Sequence, residues 1–275
     1  MPGLSERTAC LLLRVPRSSM RPETEKVRAH AVVDELLAER IRRLIELHPT
    51  YGYRLLWAML RKEGVRVNRK AVYRVLRLKR WLVHQRRLTP RPRVQGRRSQ
   101  AEKSNARWAM DVTHIPCGED GWGHLAAIID CHDRELIGFE FALRGRAKEA
   151  ERALEEACIA RFGTLRPDGV TPVVRSDNGL IFQSRRFRAA CRDYRLSQEF
   201  ITPYTPQQNG MIERFFRTLK EECTWQYNFS SFLEAKAAIS NWIGWYNAER
   251  PHSSLGYQSP QQYMTFPRKT GHFQG

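Results

Sequence analysis

Three acids in this 275-residue chain stand where their surroundings call for an explanation. Asp111 lies inside an alternating apolar stretch, between Trp108, Met110, Val112 and Ile115, and strand interiors disfavour aspartate. Asp177 ends the run Val173-Val174-Arg175-Ser176, just before the turn-forming Asn178-Gly179; strand ends are where ligands and active sites gather in open sheets. Glu213 opens an amphipathic segment in which Ile212, Phe215, Phe216 and Leu219 form an apolar stripe at helical spacing. Glu213, Arg217 and Lys220 form the stripe beside it, again at helical spacing. Carboxylates converging from strand centre, strand end and helix would repel one another unless a cation neutralised them. Hard divalent ions take oxygen ligands, and a pair of them ~3.5–4 Å apart catalyses in-line phosphodiester displacement. Taken singly, each acid also reads as a structural or solvated carboxylate, Glu213 as an i,i+4 partner of Arg217. Asp130, Asp133 and Glu140 are read as nothing more than that.

The elements that carry these acids follow from hydrophobic periodicity. From residue 105 onward "RWAMDVTHIP", "GHLAAIIDCHD" and "ELIGFEFAL" read as three antiparallel strands divided by turn-prone residues. A helix at about 147–161, the strand "TPVVRSD", a helix from Ser184 to about Tyr194 and the short strand "LSQEFI" follow. The loop "TPYTPQQNG" then leads into a helix over 211–223. A last helix over 232–247 is opened by the capping box Ser231-x-x-Glu234 and buries Phe232, Ala235, Ile239, Trp242, Ile243 and Tyr246. This pattern predicts an α/β fold, a mixed sheet with helices on both faces. Ahead of it, a helical pattern from Val32 stops before Pro49, and "YGYRLLWAMLRKEG" forms a second helix ending at Gly64. Asn68 is placed to cap a third, "NRKAVYRVLRLKRW". That helix buries Ala71, Val72, Val75 and Leu76 and presents Arg69, Lys70, Arg74, Arg77 and Arg80. Helix, short turn and basic capped helix is the layout of a helix-turn-helix, whose last helix enters the major groove. The expected domains are an N-terminal segment with a short helix (1–30), a helix-turn-helix (31–83), a basic Pro/Arg linker (84–104), a catalytic core (105–265) and a tail (266–275).

Charge divides along the same boundary. The chain carries a formal +18, and residues 1–105 hold 26 Lys/Arg against 9 Asp/Glu, whereas the remainder hold 21 against 20. A basic segment beside a near-neutral domain points to a polyanion, nucleic acid above all. No apolar run approaches the ~20 residues of a bilayer span, and Ala9–Leu13 is too short for a signal peptide. The chain is expected in the cytoplasm, without a membrane partner. Six cysteines with no CxxC pair read as reduced thiols. His114, Cys117, His124, Cys131 and His132 lack zinc-finger spacing and read as ordinary core and surface residues.

Thirty-five residues separate Asp177 from Glu213, and Lys220 comes seven after the glutamate. Here the chain resembles the DDE transposases and retroviral-type integrases. The closer likeness is to the OrfB half of bacterial two-frame insertion-sequence transposases, the IS-three family. "WAMDVTHIP", "RSDNG", "TPYTPQQNGMIERFFRTLKEE" and "WYNAERPHSSLGYQSP" carry it, together with "HPTYGYRLLWAMLRKEG". The resemblance implies an RNase H-like integrase core with a five-stranded mixed sheet. It implies that Asp111, Asp177 and Glu213 bind two Mg²⁺ or Mn²⁺ ions. Water would attack a phosphodiester at the element's end, and the freed 3′-OH would attack another strand. Lys220 matches a basic residue that contacts terminal DNA; Arg217, and Asn209 in the preceding loop, are expected at the DNA with it. Implied partners are double-stranded DNA (terminal inverted repeats and target) and further copies of this chain in a homo-oligomer assembled on it. No sustained heptad occurs near the N-terminus; the resemblance leaves two arrangements, the chain acting alone or with the upstream-frame OrfA product as a partner or fused segment. The setting would be the bacterial nucleoid.

Other chemistries fit less well. A tyrosine recombinase needs His-x-x-Arg with a nucleophilic tyrosine after it, and here Tyr246 precedes His252. A plain ribonuclease H would not be expected to carry the N-terminal helices. A DNA-binding repressor, or a decayed enzyme, would not be expected to keep all three acids at this spacing.

Overall fold

The computed structural model describes residues 5–16, 33–83, 101–202 and 205–265. The fold turns on an N-terminal helical bundle and a mixed sheet. Helix α1 (Glu6–Leu13) comes first, capped by Ser5, and leaves Leu11, Leu12 and Leu13 exposed. Helices α2 (Glu35–Leu47), α3 (Tyr53–Lys62) and α4 (Arg69–Leu78) form the bundle around Leu37, Ile41, Leu44, Leu56, Leu60, Val72, Val75 and Leu76. Two cap side chains start helices here as their residue types dictate. Asp34 Oδ1 accepts from the Leu37 amide at 3.0 Å, and Asn68 Oδ1 accepts from the Lys70 amide at 2.8 Å. Linker residues 84–100 and the tail from 266 lie outside the described residues.

Five strands form the sheet: β1 (Arg107–Pro116), β2 (Trp122–Asp130), β3 (Leu136–Ala142), β4 (Val173–Ser176) and β5 (Ser197–Phe200), in the order β3-β2-β1-β4-β5. The first three pair antiparallel, as short turns allow, while β4 and β5 join parallel through helical crossovers. Helices α5 (Ala147–Phe162), α6 (Leu180–Gln183) and α7 (Arg185–Asp193) lie in those crossovers; α8 (Gly210–Glu222), α9 (Phe232–Ala248) and α10 (Pro260–Thr265) follow β5. Helices α6 and α10 are the elements here that the hydrophobic pattern did not announce. With four and six residues, they are too short to show a period.

Alternation on β1 assigns the two faces. Trp108 and Met110 pack with Ala153, Leu154 and Phe187 of α5 and α7. Ala109 and Ile115 pack with Ile212, Phe215, Leu219, Ile239 and Ile243 of α8 and α9. The sheet is thus covered on both sides, and α5 lies close enough that a Cβ at Gly138 on β3 would meet the Ala153 carbonyl oxygen at 2.2 Å. The start of α9 departs in detail from the expected capping box. Ser231 Oγ accepts from the Glu234 amide, but the Glu234 carboxylate turns to the amide and hydroxyl of Ser230, both at 2.7 Å. The first helical amide, Phe232, donates instead to Asp120 Oδ2 in the β1–β2 turn.

Asp130 and Asp133 are both 0% exposed and serve the β2–β3 turn. Asp130 accepts from the amides of Asn105 and His132 at 2.7 Å each. Asp133 receives Arg161 of α5 on both oxygens at 3.0 Å. Asn247 joins α9 to the sheet edge, accepting from the Leu136 amide at 2.9 Å and donating to its carbonyl at 2.8 Å. No described helix is long and apolar enough to cross a membrane. Replacing Asn247 with Leu removes both bonds and strands two buried backbone groups. The expected loss is about 2–4 kcal/mol, read as a lower urea midpoint at unchanged m-value.

Candidate active site

Asp111 takes its place from strand register. Ala109 of β1 is level with Arg175 of β4 in the parallel pair, and Asp111 and Asp177 each follow two residues further along their strands. Both continue the face occupied by Ala109, the one on which α8 packs. Each aspartate is held by its own backbone: Asp111 Oδ1 accepts from the Val112 amide at 2.8 Å, and Asp177 Oδ1 from the Gly179 amide at 2.9 Å. A Cβ at position 179 would sit 2.9 Å from that same Oδ1. The glycine after Asn178 therefore lets the chain fold back against the carboxylate.

Glu213 lies in the first turn of α8, with an exposed side chain. Its acid is raised above the ordinary range by partial burial, against the opposing charge of Arg217. Asp111 is pushed up to about 7, chiefly by burial. The Val112 amide and the Lys220 ammonium oppose that shift, and the negative charges of Asp177 and Glu213 add to it. Asp111 thus feels both other carboxylates and Lys220. They are not gathered to a point: among the described residues, no three His, Cys, Asp or Glu side chains stand close enough to hold an ion as they are. Three carboxylates and no softer donor form an oxygen-only set, which suits a hard divalent cation. A cation would also offset the carboxylate repulsion that adds to the effect of burial on Asp111.

The approach of α8 is fixed by the turn before it, Pro206–Asn209. Arg175 Nη1 donates to the Gln208 carbonyl at 3.2 Å, while its other nitrogens grip Glu199 of β5 at 3.0 and 3.1 Å. Asn209 Nδ2 donates to the carbonyl of Met110, the residue before Asp111, at 3.3 Å. Asn209, expected at the DNA, points inward here. It is 2% exposed, with Oδ1 buried and without a partner, because the turn folds it under α8 and onto β1. Arg175 and Glu199 did not stand out in the sequence; the one available signal was a charged residue in the centre of "VVRSD".

The remaining candidates separate by location. Arg217 is exposed and Lys220 half-buried on α8. Arg69, Lys70, Arg74, Arg77 and Arg80 are exposed on and just after α4, apart from the acids in both sequence and domain. Of the His and Cys residues near the turns, His114 and His124 pair across β1 and β2 with ring centroids 4.6 Å apart. Cys117 and Cys131 are buried in the core beneath α8 and α9, and His132 Nδ1 bonds the Ala101 carbonyl.

An acid raised in the folded state costs stability once it ionises. The unfolded chain releases that proton at an ordinary aspartate pH, so stability falls as pH rises from about 4 to about 7 and then levels off. Asp111→Asn should therefore raise the Tm of the metal-free protein. The gain should be small at pH 4, largest above pH 7, and bounded by ~4 kcal/mol. Melting curves across that range check it; a gain that is the same at every pH would assign the effect to something other than the charge.

Comparison with known proteins bears on this geometry. Residues 101–206 and 194–260 each match a family described as "Integrase core domain", and residues 33–88 match "HTH-like domain". The "Insertion element IS476 uncharacterized 39.2 kDa protein" of Xanthomonas euvesicatoria is 31% identical over 265 residues, covering 94% of this chain and 72% of the relative. "Transposase InsD for insertion element IS2A/D/F/H/I/K" of Escherichia coli is 28% identical over 232 residues, 82% of this chain and 77% of the relative. A chain of the simian T-cell lymphotropic virus intasome, solved with PP2A regulatory subunit B56 gamma, shares the fold at TM-score 0.51 and 20% identity. That alignment covers 86% of this chain and 78% of that one. With an integrase core, a helix-turn-helix-like domain and these relatives along most of its length, the chain belongs to the insertion-sequence transposases of the IS-three family, within the DDE transposase and retroviral-type integrase superfamily.

Proposed function

We propose that this transposase binds the ends of its insertion element and carries out metal-dependent strand cleavage and strand transfer through Asp111, Asp177 and Glu213. The observation that carries this reading is the parallel register of β1 and β4, which sets Ala109 level with Arg175, two residues before Asp111 and Asp177. The electrostatic effect of Glu213 and Lys220 on Asp111 joins it. The three carboxylates would hold two Mg²⁺ or Mn²⁺ ions, which when bound polarise the scissile phosphodiester and the attacking oxygen.

The chain's own residues do the rest. Asp111 keeps its proton up to about pH 7 while the carboxylates stand unneutralised. Lys220 and Arg217 lie along the same stripe of α8 as Glu213, and there they bind backbone phosphates next to the reacting one. Arg175 and Asn209 position the turn that delivers Glu213. In the first reaction water attacks phosphorus and the bond to the 3′ oxygen breaks, leaving a 3′-OH. In the second, that 3′-OH attacks a phosphodiester of target DNA and displaces its 3′ oxygen in turn. No bond between protein and DNA forms. Tyr246, the one tyrosine weighed as a nucleophile, is 3% exposed beneath α8.

The basic side chains of α4 supply the DNA contacts of the N-terminal domain, in keeping with the charge excess of the first 105 residues. Family membership supports the remaining parts of the reading. These are a homo-oligomer assembled on element ends and target, the OrfA product as partner or fused segment, and a cytoplasmic, nucleoid-associated site of action.

The test is Asp177→Asn assayed on a duplex containing the DNA that flanks this reading frame. The variant should bind like the wild type and lose Mg²⁺-dependent nicking and strand transfer by at least about 10³-fold, the scale expected when charge stabilisation of the transition state is removed. Full activity in this variant would falsify the two-metal assignment. Binding separates independently: Arg74→Ala and Arg77→Ala should each lower the slope of log affinity against log salt by about 1. Unchanged slopes for both would remove α4 from the DNA interface.

A further inference from the structure

The motif "WYNAERPHSSLGYQSP" contributes no carboxylate to the site, yet it binds the helix-turn-helix bundle to the core. His48, at the end of α2, stacks on Tyr51 at 4.6 Å and on Trp245 of α9 at 5.1 Å. Trp245 in turn packs against the bundle's own core. Trp57 of α3 meets Tyr257 edge-on at 5.4 Å, and Lys62 reaches Glu249 at 2.9 Å. Beneath these, Arg250 lies 5.9 Å from the Tyr51 ring centroid and 5.8 Å from that of Tyr246. The same guanidinium makes two bonds, 2.8 and 2.5 Å, to Glu222, the last residue of α8. Both side chains of this pair are 11% exposed, and Tyr51 is 2% exposed.

Domains of one chain move relative to each other by default unless their interface is large and apolar. Here the contact is a stack of aromatic rings over a nearly buried ion pair, and opening it would expose both. It comes from the end of α2, the turn after it and α3, and it leaves the arginines and lysine of α4 exposed. Helix α8 is consequently held at both ends. Asn209 and Arg175 tie down its approach at the Glu213 end, and Arg250, covered by Tyr51 of the bundle, ties down Glu222 at the other.

We propose that this docking determines where DNA is cut. The Tyr51–Arg250–Glu222 cluster and the His48–Trp245 stack hold α4 at a fixed place relative to Glu213. The spacing between the base pairs that α4 reads and the phosphodiester that is cut is therefore built into the protein, not left to the connecting chain. His48, Tyr51, Trp245 and Arg250 act as positioning residues. This rests on the catalytic and DNA-binding reading above and goes beyond it.

Two forms of the full-length protein test it. Lys62→Cys/Glu249→Cys, bridged by a short bismaleimide, locks the docked arrangement; the six native cysteines are all buried, and wild type treated alike controls for them. His48→Ala/Trp245→Ala loosens the interface without stranding a charge. Both are assayed with Mg²⁺ on an end-labelled duplex of the flanking DNA, mapping cuts at nucleotide resolution alongside binding and melting. The bridged protein should cut the same phosphodiester as wild type within about twofold in rate. The loosened variant, still binding and melting cooperatively, should scatter its cuts and lose roughly 10- to 100-fold at the wild-type position, the cost of misplacing reactants by about an ångström. A bridged protein that binds but no longer cuts would overturn the proposal, because the bundle would have to leave its dock. So would a loosened variant that cuts one unchanged position at an unchanged rate. If untreated wild type does not cut at all, the catalytic reading beneath the proposal fails, and the docking role falls with it.

Discussion

Carboxylates brought onto one face of a sheet repel each other, and that repulsion is the constraint around which the rest of this structure is arranged. Its trace is the proton affinity of Asp111, raised to about 7 by burial and by the charges of Asp177 and Glu213. A fold free to relax would swing the glutamate away, since it enters from a helix and not from the sheet. Two contacts oppose this, both in the turn before α8: Arg175 on the Gln208 carbonyl and Asn209 on the Met110 carbonyl. Each uses a nearly buried polar group, which is costly unless paired. Asn209 even leaves its Oδ1 without a partner. An apolar residue would fill that space at less cost, so the amide is best understood by what it connects, the backbone beside Asp111 and the helix of Glu213.

The same logic explains the far end of α8. Burying an arginine and a glutamate together gains little over a well-packed apolar pair, yet breaking such a pair leaves an uncompensated charge. Glu222–Arg250 therefore contributes little to net stability but makes alternative placements of α8 expensive. Tyr51 lies over it from the helix-turn-helix bundle, so the orientation of the proposed catalytic helix and the seating of the bundle depend on one cluster.

Much of this was legible in the sequence, for identifiable reasons. Strands β1, β2 and β3 alternate or run apolar between Gly- and Asp-rich turns. Helices α8 and α9 show clean stripes, and Asn68 sits where a helix must be capped. As candidates, Asp111 stood out because it contradicts its apolar neighbours, and Glu213 by its spacing from Asp177 at the head of an amphipathic helix. What could not be read were long-range polar contacts between residues that look ordinary alone. Nothing local distinguishes Asn247, which spans 111 positions to Leu136, or Arg250, which reaches back 28 to Glu222. Asp130 and Asp133 read as structural or solvated carboxylates and are structural ones that serve the β2–β3 turn, but the pairing of buried Asp133 depends on Arg161 arriving from another element. Asn209 is a related case: in a Pro- and Gly-bearing loop an amide suggests a surface, and only the fold reveals that the chain turns inward at this residue.

Charge is divided between the two parts as the proposed chemistry requires. Sequence-independent DNA affinity scales with the number of phosphates neutralised, and the first 105 residues carry nearly all of the excess needed for it. Had that excess been spread over the core, it would have lowered the proton affinity of the carboxylates and weakened their attraction for a divalent cation through simple like-charge repulsion. A near-neutral core with Lys220 and Arg217 confined to one stripe of α8 avoids this. On the proposed reading these two cations bind the strand being cut, and Lys220 also tempers the shift of Asp111. The arrangement separates holding DNA from reacting with it, and so places the burden of registering one against the other on the contact between the two domains.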